Sequence, residues 1–122
     1  MKESGEMYLE SIYVLVGAKE KVRSIDIAEH MNYSKPSVSR AVGLLKKRGF
    51  IFVDQDGYIT LTDAGKQTAE SIFERHTVLT KMLIAIGVDE KTAAEDACRM
   101  EHIISEQTLE AIKKHLEQHL DK

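Results

Sequence analysis

Apolar residues in the N-terminal part of the chain recur with the period of an α-helix. Four of them, at i, i+3, i+4 and i+7, predict an amphipathic helix over residues 6–16. These are Leu9, Ile12, Tyr13 and Val16. Shorter runs of the same kind predict helices over residues 25–31 and 34–48. Asn32 and Tyr33 lie between the last two helices, so we expect a tight turn there.

Capping residues stand where these helices should begin and end. Ser24 precedes the second helix and Ser34 opens the third, and a serine hydroxyl at such a position can accept a backbone N–H. Pro36 is tolerated because it falls in a first helical turn. Gly49 stands where a C-terminal cap belongs.

After the third helix the pattern changes to the alternation of a β-hairpin. Residues 50–53 and 58–61 are rich in β-branched and aromatic residues, and the turn-forming residues 54–57 join them. The order helix, helix, turn, helix, hairpin is that of a winged helix-turn-helix.

Three more helices are predicted over residues 62–86, 89–104 and 105–120. The sequence therefore predicts a mainly α fold with a small β-hairpin wing. We expect a winged helix-turn-helix domain over residues 1–70, followed by a helical domain over residues 71–122.

The charge distribution favours nucleic-acid binding only locally. The net charge is −3, but the acidic excess lies in residues 76–122, with 6 Lys and Arg against 9 Asp and Glu. Residues 34–48 contain five basic side chains and no acidic one. These are Lys35, Arg40, Lys46, Lys47 and Arg48. A solvated basic helix face is the simpler interpretation of one such residue, whereas five on this helix favour contact with DNA phosphates.

The first half of this helix supplies the candidate DNA contacts, which are Ser34, Lys35, Pro36, Ser37, Ser39 and Arg40. Hydroxyls and backbone N–H groups at a helix start suit phosphate oxygens. Arg40 can present two donors to a guanine edge. Asp54 and Asp56 make the predicted wing tip acidic, which disfavours a minor-groove role for it. Double-stranded DNA is the partner that this helix predicts.

Composition narrows the class of protein. With 43% hydrophobic and 30% charged residues the chain resembles ordinary globular proteins. It shows neither a signal peptide nor an apolar run that could cross a bilayer, so we expect a cytoplasmic protein without a membrane partner. Cys98 is the single cysteine and cannot form an intrachain disulfide.

A second group of residues points to metal chemistry. Cys98, Glu101 and His102 are spaced i, i+3, i+4 and should project from one side of the predicted helix over residues 89–104. Thiolate, carboxylate and imidazole together suit a borderline transition metal. Taken alone, the cysteine also fits a small buried residue and the histidine a hydrogen-bonded one.

Three residues from other helices extend this set. Met7 and Glu10 lie off the apolar stripe of the first helix, and His76 lies midway along the long helix. The simpler interpretation of Met7 is a packing or exposed residue, and that of His76 is a surface side chain.

Motifs along almost the whole chain resemble the diphtheria-toxin-repressor (DtxR) family of metal-dependent regulators. They are EMYLESIY at 6–13, SKPSVS at 34–39, GYITLT at 57–62, RH at 75–76 and ACRMEH at 97–102. The resemblance implies a homodimeric transcriptional regulator, most often a repressor of metal-uptake genes. It also implies that residues 71–122 form a metal-binding and dimerisation domain, and that the SH3-like domain of longer members is absent.

In iron-responsive members of this family the activating site uses a methionine in the first helix and a cysteine, glutamate and histidine in the metal helix. The matching residues are Met7, Cys98, Glu101 and His102. Manganese-responsive members have acidic residues at the first two positions. Their neighbouring second site uses a glutamate and a histidine, which Glu10 and His76 match.

Thioether and thiolate ligands disfavour Mn²⁺ relative to Fe²⁺. We therefore expect Fe²⁺ as the cofactor, with Mn²⁺, Co²⁺, Ni²⁺ and Zn²⁺ as alternatives, and no small-molecule substrate.

Other functions compete with this interpretation. One alternative is a Mn²⁺-responsive member of the same family, whose second site Glu10 and His76 match. In a metal-independent winged-helix repressor, Cys98 would be a core residue or a thiol sensor. A metalloenzyme is suggested only by His115 and His119, which lack the glutamate spacing of an H-E-x-x-H helix, so we expect surface residues and no enzyme.

Overall fold

The computed structural model describes residues 3–120. Its helices and strands are α1 (Glu3–Ala18), α2 (Ser24–Met31), α3 (Lys35–Lys47), β1 (Ile51–Val53), β2 (Ile59–Leu61), α4 (Asp63–Ala85), α5 (Glu90–Met100) and α6 (Glu106–Leu120). The predicted mainly α fold with a β-hairpin wing is confirmed. The chain divides into two compact units, Met1–Glu70 and Ser71–Lys122. None of the helices within the described range is long and apolar enough to cross a membrane.

In the first unit, α1, α2, α3 and the hairpin share one apolar core. Its most buried large side chains are Leu9, Ile12, Val22, Ile27, Val38, Ile51 and Ile59. Burying each such side chain contributes about 1.5–3 kcal/mol relative to leaving it in water. The apolar residues that recur with helical period in the sequence therefore lie on the sides of the helices that pack into this core.

The turn between α2 and α3 follows from its residue types. Asn32 has a left-handed backbone, with φ 59° and ψ 43°, and its N–H donates to the Ala28 carbonyl. Asparagine is among the few residues that adopt this conformation readily. Ser34 caps α3 as predicted, because its hydroxyl accepts from the Ser37 N–H.

The N-terminus of α2 differs from the prediction, since Arg23 rather than Ser24 is the N-cap. Asp26, three residues on, accepts a hydrogen bond of 2.8 Å from the Arg23 N–H and one of 2.6 Å from the Lys19 ammonium. The Lys19 hydrogen bond, followed by that from the Arg23 backbone, holds the pKa of Asp26 below its usual value. A carboxylate inside the first turn thus replaces the serine hydroxyl that we expected to cap it.

The hairpin is antiparallel, with Ile51 opposite Leu61, Phe52 opposite Thr60 and Val53 opposite Ile59. Each strand begins one residue later than predicted because the preceding N–H is used elsewhere. That of Phe50 donates to the Leu45 carbonyl, and that of Tyr58 donates to the Asp54 carboxylate.

In the second unit, α5 ends at Met100 rather than at the predicted Ile104. Glu101 is its C-cap and keeps helical angles, and its N–H donates to Ala97. The N–H groups of Ile103 and Ile104 then both donate to the Met100 carbonyl, closing a tight turn before α6. Glu101 and His102 therefore lie on this turn, immediately after the helix.

Candidate metal centre and DNA-binding helix

The start of α3 presents a hydroxyl-rich, exposed turn. The Ser34 and Ser37 hydroxyls are 2.8 Å apart, and the Ser34 hydroxyl is also the helix cap. Lys35, Pro36 and Ser39 are exposed, whereas Val38 is fully buried and anchors the helix to the core. The polar and basic side chains are thus available to a ligand, on a rigid helix.

Arg40 lies one turn further along the same exposed side. Its guanidinium Nη2 donates a long hydrogen bond of 3.4 Å to the Ser37 hydroxyl, which leaves further N–H groups of the fork for a ligand. The exposed position and the fixed helix suit an arginine that contacts a base edge.

Three of the predicted metal ligands come together in the second unit. The Glu101 carboxylate is fully buried, and the His76 Nδ1 approaches its Oε2 to 3.0 Å. The His102 Nε2 lies 3.2 Å from the other oxygen, Oε1, and the His102 side chain is 1% exposed. One buried carboxylate is therefore contacted by two imidazoles, one from α4 and one from its own turn.

Arg75 holds this turn in place and was not assigned a role from the sequence. Its Nη1 donates to the carbonyls of Glu101 at 3.2 Å and Ile104 at 3.5 Å, and its Nη2 pairs with Glu106. Adjacent residues of α4 thus contact both the backbone and the side chain of Glu101. The only signal in the sequence is the position of this arginine beside His76 on a long helix.

The remaining predicted ligands are placed as follows. Cys98 is half-buried in the last turn of α5, and Met7 is half-buried on α1. Glu10 is also on α1, and its Oε2 is buried without a hydrogen-bond partner among the described residues. Within residues 3–120, no three or more His, Cys, Asp and Glu side chains are grouped so that they could hold a metal ion together. The assignment of all six residues to one centre stays a prediction.

His115 and His119 lie on the exposed surface of α6, as predicted. Their rings are 4.2 Å apart between centroids. They do not join the Glu101 contacts described above.

The fold and these residues define a winged helix-turn-helix protein with a helical second unit. Residues 1–59 match the N-terminal DNA-binding domain of the iron-dependent repressors. Residues 62–120 match the metal-binding and dimerisation domain of the same proteins. The chain therefore belongs to the iron-dependent repressor family, the DtxR family of metal-dependent transcriptional repressors.

Individual relatives agree with this assignment. The chain is 32% identical over 124 residues to an uncharacterized HTH-type transcriptional regulator of Methanocaldococcus jannaschii. The aligned region covers 100% of this chain and 99% of the relative. It is 32% identical over 112 residues to the transcriptional regulator MntR of Salmonella typhimurium, over 92% of this chain and 71% of MntR.

The solved structure of the manganese regulator SloR superposes with a TM-score of 0.82 at 30% identity. The match covers 93% of this chain and 53% of SloR, so the chain spans about half the length of that regulator.

Proposed function

We propose that this protein is a homodimeric repressor that binds operator DNA when it has bound a divalent metal ion, with Fe²⁺ as the physiological ion. The contact of two imidazoles with the buried Glu101 carboxylate is the observation that carries the proposal. Membership of the family supplies the link from metal to DNA.

The residue types of the donor set, rather than their grouping in this structure, suit a divalent transition ion. A carboxylate buried as completely as that of Glu101 needs compensating positive charge or hydrogen bonds, and a bound cation supplies such charge. The same holds for the buried Oε2 of Glu10. Divalent ions of the first transition row from Fe²⁺ to Zn²⁺ bind imidazole nitrogens, carboxylate oxygens and a thiolate sulfur such as that of Cys98.

Glu101, His102, Cys98 and His76 would hold the ion, and Met7 and Glu10 complete the set that we predict from the family pattern. The bound ion would add positive charge at this centre and fix the ligand side chains. Arg75 orients the turn that carries Glu101 and His102, as outer-shell partners commonly do for metal ligands.

Preference for Fe²⁺ follows from ligand softness. The thioether of Met7 and the thiolate of Cys98 stand where manganese-responsive members have two acidic ligands. Sulfur ligands disfavour Mn²⁺, whereas carboxylate oxygens suit it. Mn²⁺ is the second candidate, because Glu10 and His76 match the second site of manganese-responsive members and SloR is described as a manganese regulator.

On DNA, the exposed start of α3 enters the major groove. Ser34, Lys35, Pro36, Ser37 and Ser39 contact the phosphate backbone, and Arg40 reads a base edge. In a dimer, two such helices must meet successive major grooves about 34–36 Å apart. Without the metal ion, a smaller fraction of the molecules would be in the arrangement that binds DNA. The apparent affinity for DNA would fall in proportion to that fraction.

The test is DNA binding by the purified protein to its own promoter fragment. Anaerobic gel shifts would compare Fe²⁺, Mn²⁺, Zn²⁺ and a chelator. We expect a specific complex with Fe²⁺ that the chelator abolishes, and loss of the metal dependence in Met7→Ala and Cys98→Ala. Circular dichroism would show that both variants remain folded. If the wild type and both variants bind the promoter fragment equally well with and without chelator, the protein is a metal-independent repressor and the proposal is wrong.

A further inference from the structure

Two basic side chains lie against one aromatic ring at the base of the wing. The Lys21 ammonium is 5.0 Å from the centroid of the Tyr58 ring, and the Arg23 guanidinium carbon is 4.4 Å from it. Both distances are within the range of cation–π attraction. We call Lys21, Arg23 and Tyr58 the wing-base cluster.

The backbone explains why both cations reach the same ring. The Ile59 N–H donates to the Val22 carbonyl at 2.7 Å, so the segment before α2 lies along β2. Val22 is 1% exposed and points into the core. Because side chains alternate along an extended segment, its neighbours Lys21 and Arg23 both point outward.

Tyr58 itself is fixed by the turn of the wing. The Asp54 carboxylate accepts hydrogen bonds of 2.9 Å from the N–H groups of Asp56 and Tyr58. Asp54 therefore has a structural role in the turn of the wing.

Acidic side chains also lie in the segments that form this cluster, and two of them have hydrogen-bond partners. Asp26 pairs with Lys19 and caps α2, and Asp54 holds the turn. Glu20 and Asp56 remain as exposed acids. The cluster carries two positive charges on a short segment, close to the first turn of α2.

This segment continues into the surface that presents α3. A cavity of about 220 Å³ is lined by Ser24 and Ile25 at the start of α2 and by Lys35 and Ser39 on α3. Arg23 is bonded directly to Ser24, so the wing-base cluster adjoins the surface that carries Lys35 and Ser39.

We propose that the wing-base cluster binds the phosphate backbone of DNA. This inference rests on the proposed DNA-binding function. An arginine stacked on a ring keeps the N–H groups at the edge of its guanidinium for phosphate oxygens, and the ring limits the freedom that binding must remove. Phosphate is the proposed partner because two exposed cations beside one ring suit anionic oxygens and read no base pattern.

The experiment measures the salt dependence of binding by fluorescence anisotropy. The metal-loaded full chain would be titrated with a promoter duplex and with an unrelated duplex, between about 50 and 300 mM KCl. The slope of log K against the logarithm of the salt concentration is negative. For the double variant Lys21→Gln, Arg23→Gln, we expect its magnitude to decrease by about 1 for each lost phosphate contact in each protomer. The loss should be similar on both duplexes, because phosphate contacts carry no sequence information.

Matched variants separate charge from structure. Lys114→Gln removes an exposed charge from α6 and should leave the slope unchanged. Lys21→Arg with Arg23→Lys should retain it, because the charge is kept. Tyr58→Phe should bind as the wild type does, whereas Tyr58→Leu should bind more weakly, since the ring no longer holds the cations.

The outcomes distinguish the two proposals. A wild-type protein that binds neither duplex with any ion overturns the DNA-binding function itself. Normal wild-type binding, with an unchanged slope in the Lys21→Gln, Arg23→Gln variant, overturns the phosphate surface alone. In that case the cluster would be a contact for an acidic protein or a purely structural feature.

Discussion

The two units of this chain are built on different principles. The first unit buries almost only apolar side chains, with the Oε2 atom of Glu10 as an exception. The second unit buries a carboxylate, Glu101, between two imidazoles. Burying a carboxyl group costs free energy unless polar groups contact it, and the two imidazoles supply such contacts. The first unit therefore provides the apolar core of the winged helix, whereas the second unit contains the residues proposed to respond to a metal ion.

The largest effect should come from the apolar core of the first unit. Ile27 and Ile25 are the same residue type on α2, but Ile27 is fully buried and Ile25 is 38% exposed. We expect Ile27→Ala to lower the free energy of unfolding by about 2–5 kcal/mol through a cavity. Ile25→Ala should cost less than about 1 kcal/mol. Urea denaturation measures both, and equal losses would contradict the assignment of this core.

The DNA-reading helix should respond more specifically. Arg40→Ala removes the proposed base contact and should lower operator affinity by about 1–3 kcal/mol. Affinity for unrelated DNA should fall much less. The matched variant Lys66→Ala removes a charge at the start of α4 and should change neither. Equal losses on operator and unrelated DNA would reassign Arg40 to a phosphate contact.

In the second unit, the sharpest test uses a residue that is not a ligand. Arg75→Gln should weaken metal binding by about 10–100-fold, because the turn carrying Glu101 and His102 loses its hydrogen bonds. Arg75→Lys keeps the charge without the fork and should recover only part of it. Calorimetric titration with a metal ion gives the affinity, and thermal unfolding controls for stability. An unchanged affinity would show that the turn needs no such support.

The smallest effect concerns the cap of α2. The pKa of Asp26 is lowered by Lys19 and the Arg23 N–H, so the folded protein binds that proton more weakly than the unfolded chain. Its stabilisation is complete above the usual aspartate pKa and is lost as the pH falls through the lower folded value. Asp26→Asn should cost about 0.5–1 kcal/mol at pH 7 and progressively less toward pH 3. A loss that does not change with pH, with exposed Glu29→Gln as control, would contradict the ionic cap.

The fold was largely predictable because its signals are local. Apolar periodicity, the turn at Asn32 and the Ser34 cap all act within a few residues. Two local predictions were wrong, one because of a neighbouring side chain and one because of a distant arginine. Asp26 displaced Ser24 as the capping group, and the turn tied by Arg75 follows a helix that ended four residues early.

The candidate sites were predictable only in part. The spacing of Cys98, Glu101 and His102 pointed to one side of a helix, but the contact of His76 with Glu101 joins residues 25 positions apart. The wing-base cluster had no signal in the sequence, because Lys21 and Tyr58 meet only through the pairing of Val22 with Ile59.

The most direct test of the account is the metal preference of Met7→Asp, Cys98→Glu compared with the wild type. Operator binding would be titrated anaerobically with Fe²⁺ and with Mn²⁺, with Lys114→Gln on the exposed surface of α6 as the control variant. The account predicts that the wild type responds at lower free Fe²⁺ than Mn²⁺, and that the double variant shifts toward Mn²⁺. A double variant with the same preference as the wild type would contradict the assignment of a soft-ligand metal centre.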